Sequence, residues 1–217
     1  ILPLLIAGAS SIWVAYYAWS HRAVSGAFAL TFLALAAGIW TVGYALEIAG
    51  ADLDAKVLWS KIQYFGITTV PLLWLVFCYN YFNQNRQLPW RILVALWIVP
   101  LITLLLVFTT EAHGLVWSGY RISRTGDFSC LKVDHGFWFW VYWGYSQLLV
   151  LAGTYFIIRL IRHKHGLYRG QITALVAAAT TPWVGNLLYI TKLTAKLGLP
   201  ADLDPTSFGF AVAVIFM

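Results

Sequence analysis

An all-α membrane protein, folded as a bundle of seven transmembrane helices, is the architecture this amino-acid sequence predicts, and three features lead there. The chain of 217 residues is 61% hydrophobic and only 10% charged, with a mean hydropathy of +0.75. A soluble domain carries about a quarter charged residues, so this chain has too little polar surface to face water. Its twelve Trp and twelve Tyr are the side chains that collect at the two membrane interfaces. Third, apolar runs of about twenty residues, long enough to cross the hydrocarbon core, recur along the chain.

The first span covers 1–20, in "ILPLLIAGASSIWVAYYAW". No basic region precedes it, so it reads as a crossing and not as a cleavable leader. Further spans follow at 27–48, 57–82, 90–110, 136–161 and 170–193, and a seventh opens at Pro205. Both ends of the sequence read as cut, so residues 1–217 are expected to form one domain truncated within its seventh helix. Pro89 and Pro205 fall at helix starts, whereas Pro71, Pro100 and Pro182 lie inside spans. An interior proline frees a carbonyl, which makes Pro71 and Pro182 kink candidates. Cys78 and Cys130 lie in unlike surroundings, one apolar and one polar, and read as separate thiols rather than a disulfide.

Loop charge sets the orientation. One set of loops holds Arg22, Arg86, Arg91, Arg159, Arg162, Lys164 and Arg169, and no acid. The other holds Glu47, Asp52, Asp54, Glu111, Asp127, Asp134, Asp202 and Asp204, every acid in the chain. Basic residues divide nearly evenly between the sets, but those of the first sit in short loops beside the spans, where the positive-inside rule applies. The all-basic side is therefore expected in the cytoplasm, with the N-terminus outside and the C-terminus inside. The formal charge of +6 reports on membrane sidedness, and no nucleic-acid partner is expected. The long outer loop between helices 4 and 5, "TTEAHGLVWSGYRISRTGDFSCLKVDHG", alternates Tyr120 and Ile122 on one flank with Leu131 and Val133 on the other. That period of two predicts a β-hairpin turning at Gly126.

Polar groups inside spans carry the functional reading. Centring a charge in lipid costs roughly 2.5–3.5 kcal/mol on insertion scales, so a retained one tends to have a partner. Lys61 lies in the outer half of the third span, on a helix face with Tyr64, Thr68 and Pro71. It either snorkels outward along its own stem or pairs inside the bundle. Glu47, closing the second span, and Asp204, opening the seventh, lie at a matching depth and are the expected partners. Asp204 has a second use as the cap of the last helix. Asn186 and Tyr189 share one face of the sixth span, and Tyr44 and Gln147 also fall in apolar runs. Hydrogen bonding between spans is their plain use; lining a ligand cavity is the sharper one. Trp40, Trp59, Trp143 and Tyr145 supply candidate apolar walls, against the alternative of interfacial anchoring.

No protease, hydrolase, phosphate-loop or CxxC motif is present. The outer-loop histidines, His113 and His135, lack metal-ligand spacing, and "PTSFGFAVAVIFM" contains no lysine that could hold retinal. No catalytic residue, metal or cofactor is expected.

Several stretches carry a resemblance in order: "GYALEIAG", "LWSKIQYFGITTVPLLWLVFCYNY", "HGLVW", "HGFWFWVYWGYS", "YRGQ", "TPWVGNLLY" and "DPTSFGF". Together they span nearly the whole chain. The sequence resembles the N-terminal seven-transmembrane sensor region found ahead of histidine kinases in bacteria and archaea, and sometimes ahead of diguanylate cyclases. That resemblance implies a multi-pass plasma-membrane receptor whose signalling domain follows the seventh helix, working as a homodimer. It implies no enzyme activity in this region itself. The expectation is therefore a sensor among membrane lipids that binds a small, amphiphilic ligand in its outer half and biases a cytoplasmic effector. Glu47, Lys61, Tyr64, Asn186, Tyr189 and Asp204 are the expected polar lining. A small-solute transporter and a ligand-free structural anchor are the alternatives.

Overall fold

The computed structural model describes residues 1–84, 86–125 and 128–163, with 180, 181, 184, 206, 209 and 211. Among them, five helices are long and apolar enough to cross a membrane. These are α1 (Leu2–Ser20), α2 (Ala27–Ala49), α3 (Leu53–Phe82), α4 (Trp90–Phe108) and α6 (Phe137–His163). Between α4 and α6 come a single turn, α5 (Thr110–His113), and two strands, β1 (Trp117–Thr125) and β2 (Phe128–His135). The sixth and seventh expected spans, apart from a few helical residues, lie outside the described residues.

Helix ends follow local chemistry. α3 starts at Leu53, four residues before the apolar run, because the Asp52 carboxylate accepts from the Ala55 N–H at 2.7 Å. That cap satisfies a free backbone donor and draws a polar first turn into the helix. α4 stops at Phe108, short of the expected 110, and the chain re-forms as α5 before Gly114 turns it with φ of 62°. Gly26 precedes α2 with φ of 84°, and a Cβ there would lie 3.2 Å from the Phe77 ring of α3. The positive φ favours glycine there, and the Phe77 ring leaves little room for a side chain.

α1, α2 and α3 run up, down and up, and α6 packs along α3. Small residues set their spacing. A Cβ on Gly66 of α3 would stand 2.5 Å from the Ala36 carbonyl oxygen of α2, and one on Gly153 of α6 would stand 2.5 Å from the Trp74 indole. Such close approach is what drives helix association where lipid removes the hydrophobic incentive. Leu33, Val70, Trp74, Phe77, Ile157 and Leu160 fill the space between. Cys78 is a buried free thiol in the same core; the side chain of Cys130 is not described.

The two interior prolines of the described spans are matched by tyrosines. Pro71 has no N–H for the Ile67 carbonyl four residues back; the Tyr142 hydroxyl of α6 donates to that oxygen at 2.7 Å. Pro100 likewise frees the Leu96 carbonyl, which accepts from the Tyr145 hydroxyl at 2.5 Å. Neighbouring helices thus restore the bonds that proline removes. Tyr145, expected as an apolar wall, uses its polar end here.

β1 and β2 pair antiparallel, with Tyr120 opposite Val133 and Ile122 opposite Leu131; Gly126 and Asp127 lie outside the described residues. The base of the sheet is closed by the Gly136 N–H donating to the Val116 carbonyl at 2.9 Å.

Candidate functional site

Where α2 ends and α3 begins, buried polar groups converge on the sheet. Glu47, only 5% exposed, stands in the last turn of α2 with its carboxylate toward α3. Its Oε2 accepts from the Gln63 side chain at 2.7 Å, and its Oε1 accepts from the Leu131 N–H of β2 at 3.1 Å. Gly43 makes room for this meeting, since a Cβ there would lie 2.8 Å from Cγ of Gln63.

Lys56, on the first turns of α3, is fully buried. Its ammonium donates to three carbonyls: Glu47 at 2.8 Å, Ile48 at 3.3 Å and Ser129 at 2.6 Å. Two of these are terminal carbonyls of α2, where the helix dipole is negative and a cation is favoured. The third belongs to β2. In a strand, the C=O of one residue and the N–H two residues on face the same edge, so Ser129 and Leu131 offer β2's edge groups side by side. Lys56 donates to one and Glu47 accepts from the other, as the backbone of a third strand would. A two-stranded hairpin is marginal alone, and here two buried side chains, Lys56 and Glu47, complete its edge.

A second set fixes the far side of the sheet. The Lys61 ammonium donates to Glu111 Oε1 of α5 at 2.6 Å. The bond to Lys61 holds the Glu111 carboxyl below the usual carboxylate range. Tyr64, one turn on from Lys61, accepts the Trp117 indole N–H at 3.2 Å, and the two rings meet edge to face at 5.7 Å. The Trp117 backbone N–H donates to the Thr110 hydroxyl at 3.2 Å. α3 therefore touches the loop region through Lys56, Lys61 and Tyr64 in succession.

The expected pairing of Lys61 with Glu47 is not the one formed. Glu47 points into the α2–α3 contact, toward Gln63 and β2, whereas Lys61 reaches outward to Glu111. Lys61 is paired with a carboxylate of α5 that the expectation did not name, the lysine side chain 13% exposed and its partner 48%. Asp204, the other expected partner, and Asn186 and Tyr189 lie outside the described residues. Trp40 is core, packed on the backbone of Gly66. Trp59 and Trp143 are half-buried, and Trp143 meets Trp140 at 6.1 Å. Sequence reasoning passed over Lys56, Gln63, Glu111 and Trp117. Lys56 carried one usable signal, a cation a few residues past a helix C-terminus; Glu111 carried none, since only the turn at Thr109 brings it under α3.

The family model described as the N-terminal 7TM region of histidine kinase matches residues 3–217. Neither curated proteins nor solved structures gave a match.

Proposed function

Since the chain belongs to the N-terminal 7TM region family of histidine kinases, a membrane sensor region in two-component signalling, we propose that it binds a small amphiphilic ligand beneath the hairpin and passes the event to a cytoplasmic effector in the full-length protein. One observation carries this reading. The hairpin is held on the bundle by a buried lysine and a buried glutamate, groups that are costly in a membrane protein and by default mark function. A fixed scaffold would close the same edge with a third strand or an apolar contact.

The proposed orientation has the hairpin outside and the arginine-bearing ends in the cytoplasm of a bacterial or archaeal cell. The ligand lies against Lys61 and Tyr64, with Asn186, Tyr189 and Asp204 completing its polar lining, and Glu47, turned into the α2–α3 contact, acts through the hairpin it holds. Half-burial supports Trp59 and Trp143 as apolar walls; Trp40 is buried in the core. Binding shifts the third, sixth and seventh helices only so far as the ligand prefers one packing over the other. The effector follows the seventh helix, and the assembly is a homodimer. No catalysis is assigned to this region.

The test is recovery of the ligand. The full-length protein is purified in nanodiscs, and its small molecules are extracted and identified by mass spectrometry. A compound retained by wild type and lost from Tyr64→Phe and Lys61→Met supports the reading. Equal recovery from all three proteins, or none from any, sinks it and leaves a structural anchor. Uptake of the same compound into proteoliposomes would reassign the region to transport.

A further inference from the structure

The two ends of the bundle differ in charge. At the hairpin end the described residues include Lys56, Lys61, Arg121, Arg124 and Lys132, balanced by Glu47, Asp52, Asp54, Glu111 and Asp134. The opposite end, where α1, α3 and α6 finish and α2 and α4 begin, carries Arg22, Arg86, Arg91, Arg159 and Arg162. All five are exposed, and among the described residues no carboxylate and no lysine stands with them. Uniform charge of this kind repels itself unless something negative lies against it.

The choice of arginine narrows what that is. A guanidinium offers a planar fork of N–H donors that fits two phosphate oxygens at once, and it lies flat on aromatic rings. Arg22 sits over the Trp19 ring at 5.3 Å and Arg159 over Phe82 at 5.4 Å. Arg91 follows Trp90, an exposed indole at the start of α4. The turn that bears Arg22 is itself anchored, because the Ser25 hydroxyl donates to the Asn80 carbonyl of α3 at 3.2 Å. Two of the five forked cations thus lie on aromatic rings, the kind of side chain that gathers at membrane interfaces.

We propose that this end is a docking surface for anionic phospholipid headgroups, whose phosphates the arginines take two N–H donors at a time. It rests on the membrane reading above and not on any ligand beneath the hairpin. The lipid charge at this face then bears on the ends of α3 and α6.

The experiment places the full-length protein in nanodiscs of equal phosphatidylcholine and phosphatidylglycerol and measures the lipid retained by native mass spectrometry. Wild type is expected to retain phosphatidylglycerol in preference. A triple variant, Arg22→Gln with Arg91→Gln and Arg162→Gln, should lose about five-fold for each arginine removed. The matching Arg→Lys triple, which keeps charge but not the fork, should fall between them. A control at the other end, Arg121→Gln with Lys132→Gln, should retain lipid as wild type does. Melting in phosphatidylcholine alone verifies that every variant is folded. Retention by the Gln triple equal to wild type overturns the docking surface, as does an equal loss from the control. Retention by the Lys triple equal to wild type overturns the forked contact. None of these outcomes depends on the small molecule sought above.

Discussion

Lys56 and Lys61 stand five positions apart on one helix, yet their surroundings predict opposite consequences of removal. Lys56→Met leaves three carbonyls without the buried ammonium they share, and losing hydrogen bonds to a charged group costs about 1.5–3 kcal/mol. Unfolding in detergent followed by circular dichroism should show a large fall in stability; a loss within error would mean that Lys56 does not hold the sheet. Lys61→Met removes a pair whose acid is half exposed, and about 0–1 kcal/mol is expected. Its signature is pH. Because the Lys61 bond lowers the Glu111 value below the ordinary one, the pair's contribution is present above the ordinary carboxylate range. It fades as pH falls through that range and the lowered value beneath it. Wild type should thus lose a small increment of stability on the acid side that Lys61→Met lacks. Tyr64→Phe deprives the buried Trp117 indole of its acceptor, at about 1–3 kcal/mol, visible as a lower melting temperature.

Proline and tyrosine define the packing of whole helices. α6 grips α3 at Ile67 and α4 at Leu96, the two carbonyls that Pro71 and Pro100 leave open. Tyr142→Phe should therefore cost about 0.6 kcal/mol or somewhat more, the size measured for hydrogen bonds between membrane helices. The informative measurement is a double-mutant cycle with Pro71→Ala. Alanine restores an N–H for Ile67, so the tyrosine change should cost less in that background; equal cost in both would separate the tyrosine from the proline. Gly66→Ala tests the α2–α3 contact, where a methyl would press on the Ala36 carbonyl and on Trp40. Overpacking of about 1–3 kcal/mol is expected, read as a lowered thermal midpoint.

For the whole molecule, the arginine end and the charge-balanced hairpin end predict a single orientation. In a background lacking Cys130, Ser118→Cys on β1 should react with an impermeant maleimide on intact cells. Gln87→Cys, between α3 and α4, should react only after lysis. The reverse pattern would invert the proposed topology. The same asymmetry separates the two ends of the bundle: buried charge where the sheet is held, and exposed, unbalanced charge at the arginine end.

Hydropathy is a local sum, so the five apolar spans of the described residues were readable residue by residue. So were the alternation that pairs Ile122 with Leu131 and the motifs that mark the family. Partners were not readable, because a hydrogen bond depends on which distant groups converge. Glu47 finds the Leu131 N–H across 84 positions, and Lys61 finds Glu111 across 50. Depth alone paired Lys61 with Glu47. Tertiary structure turned that carboxylate toward β2 and put Lys56, whose sequence position looked like an ordinary helix start, at the centre of the site.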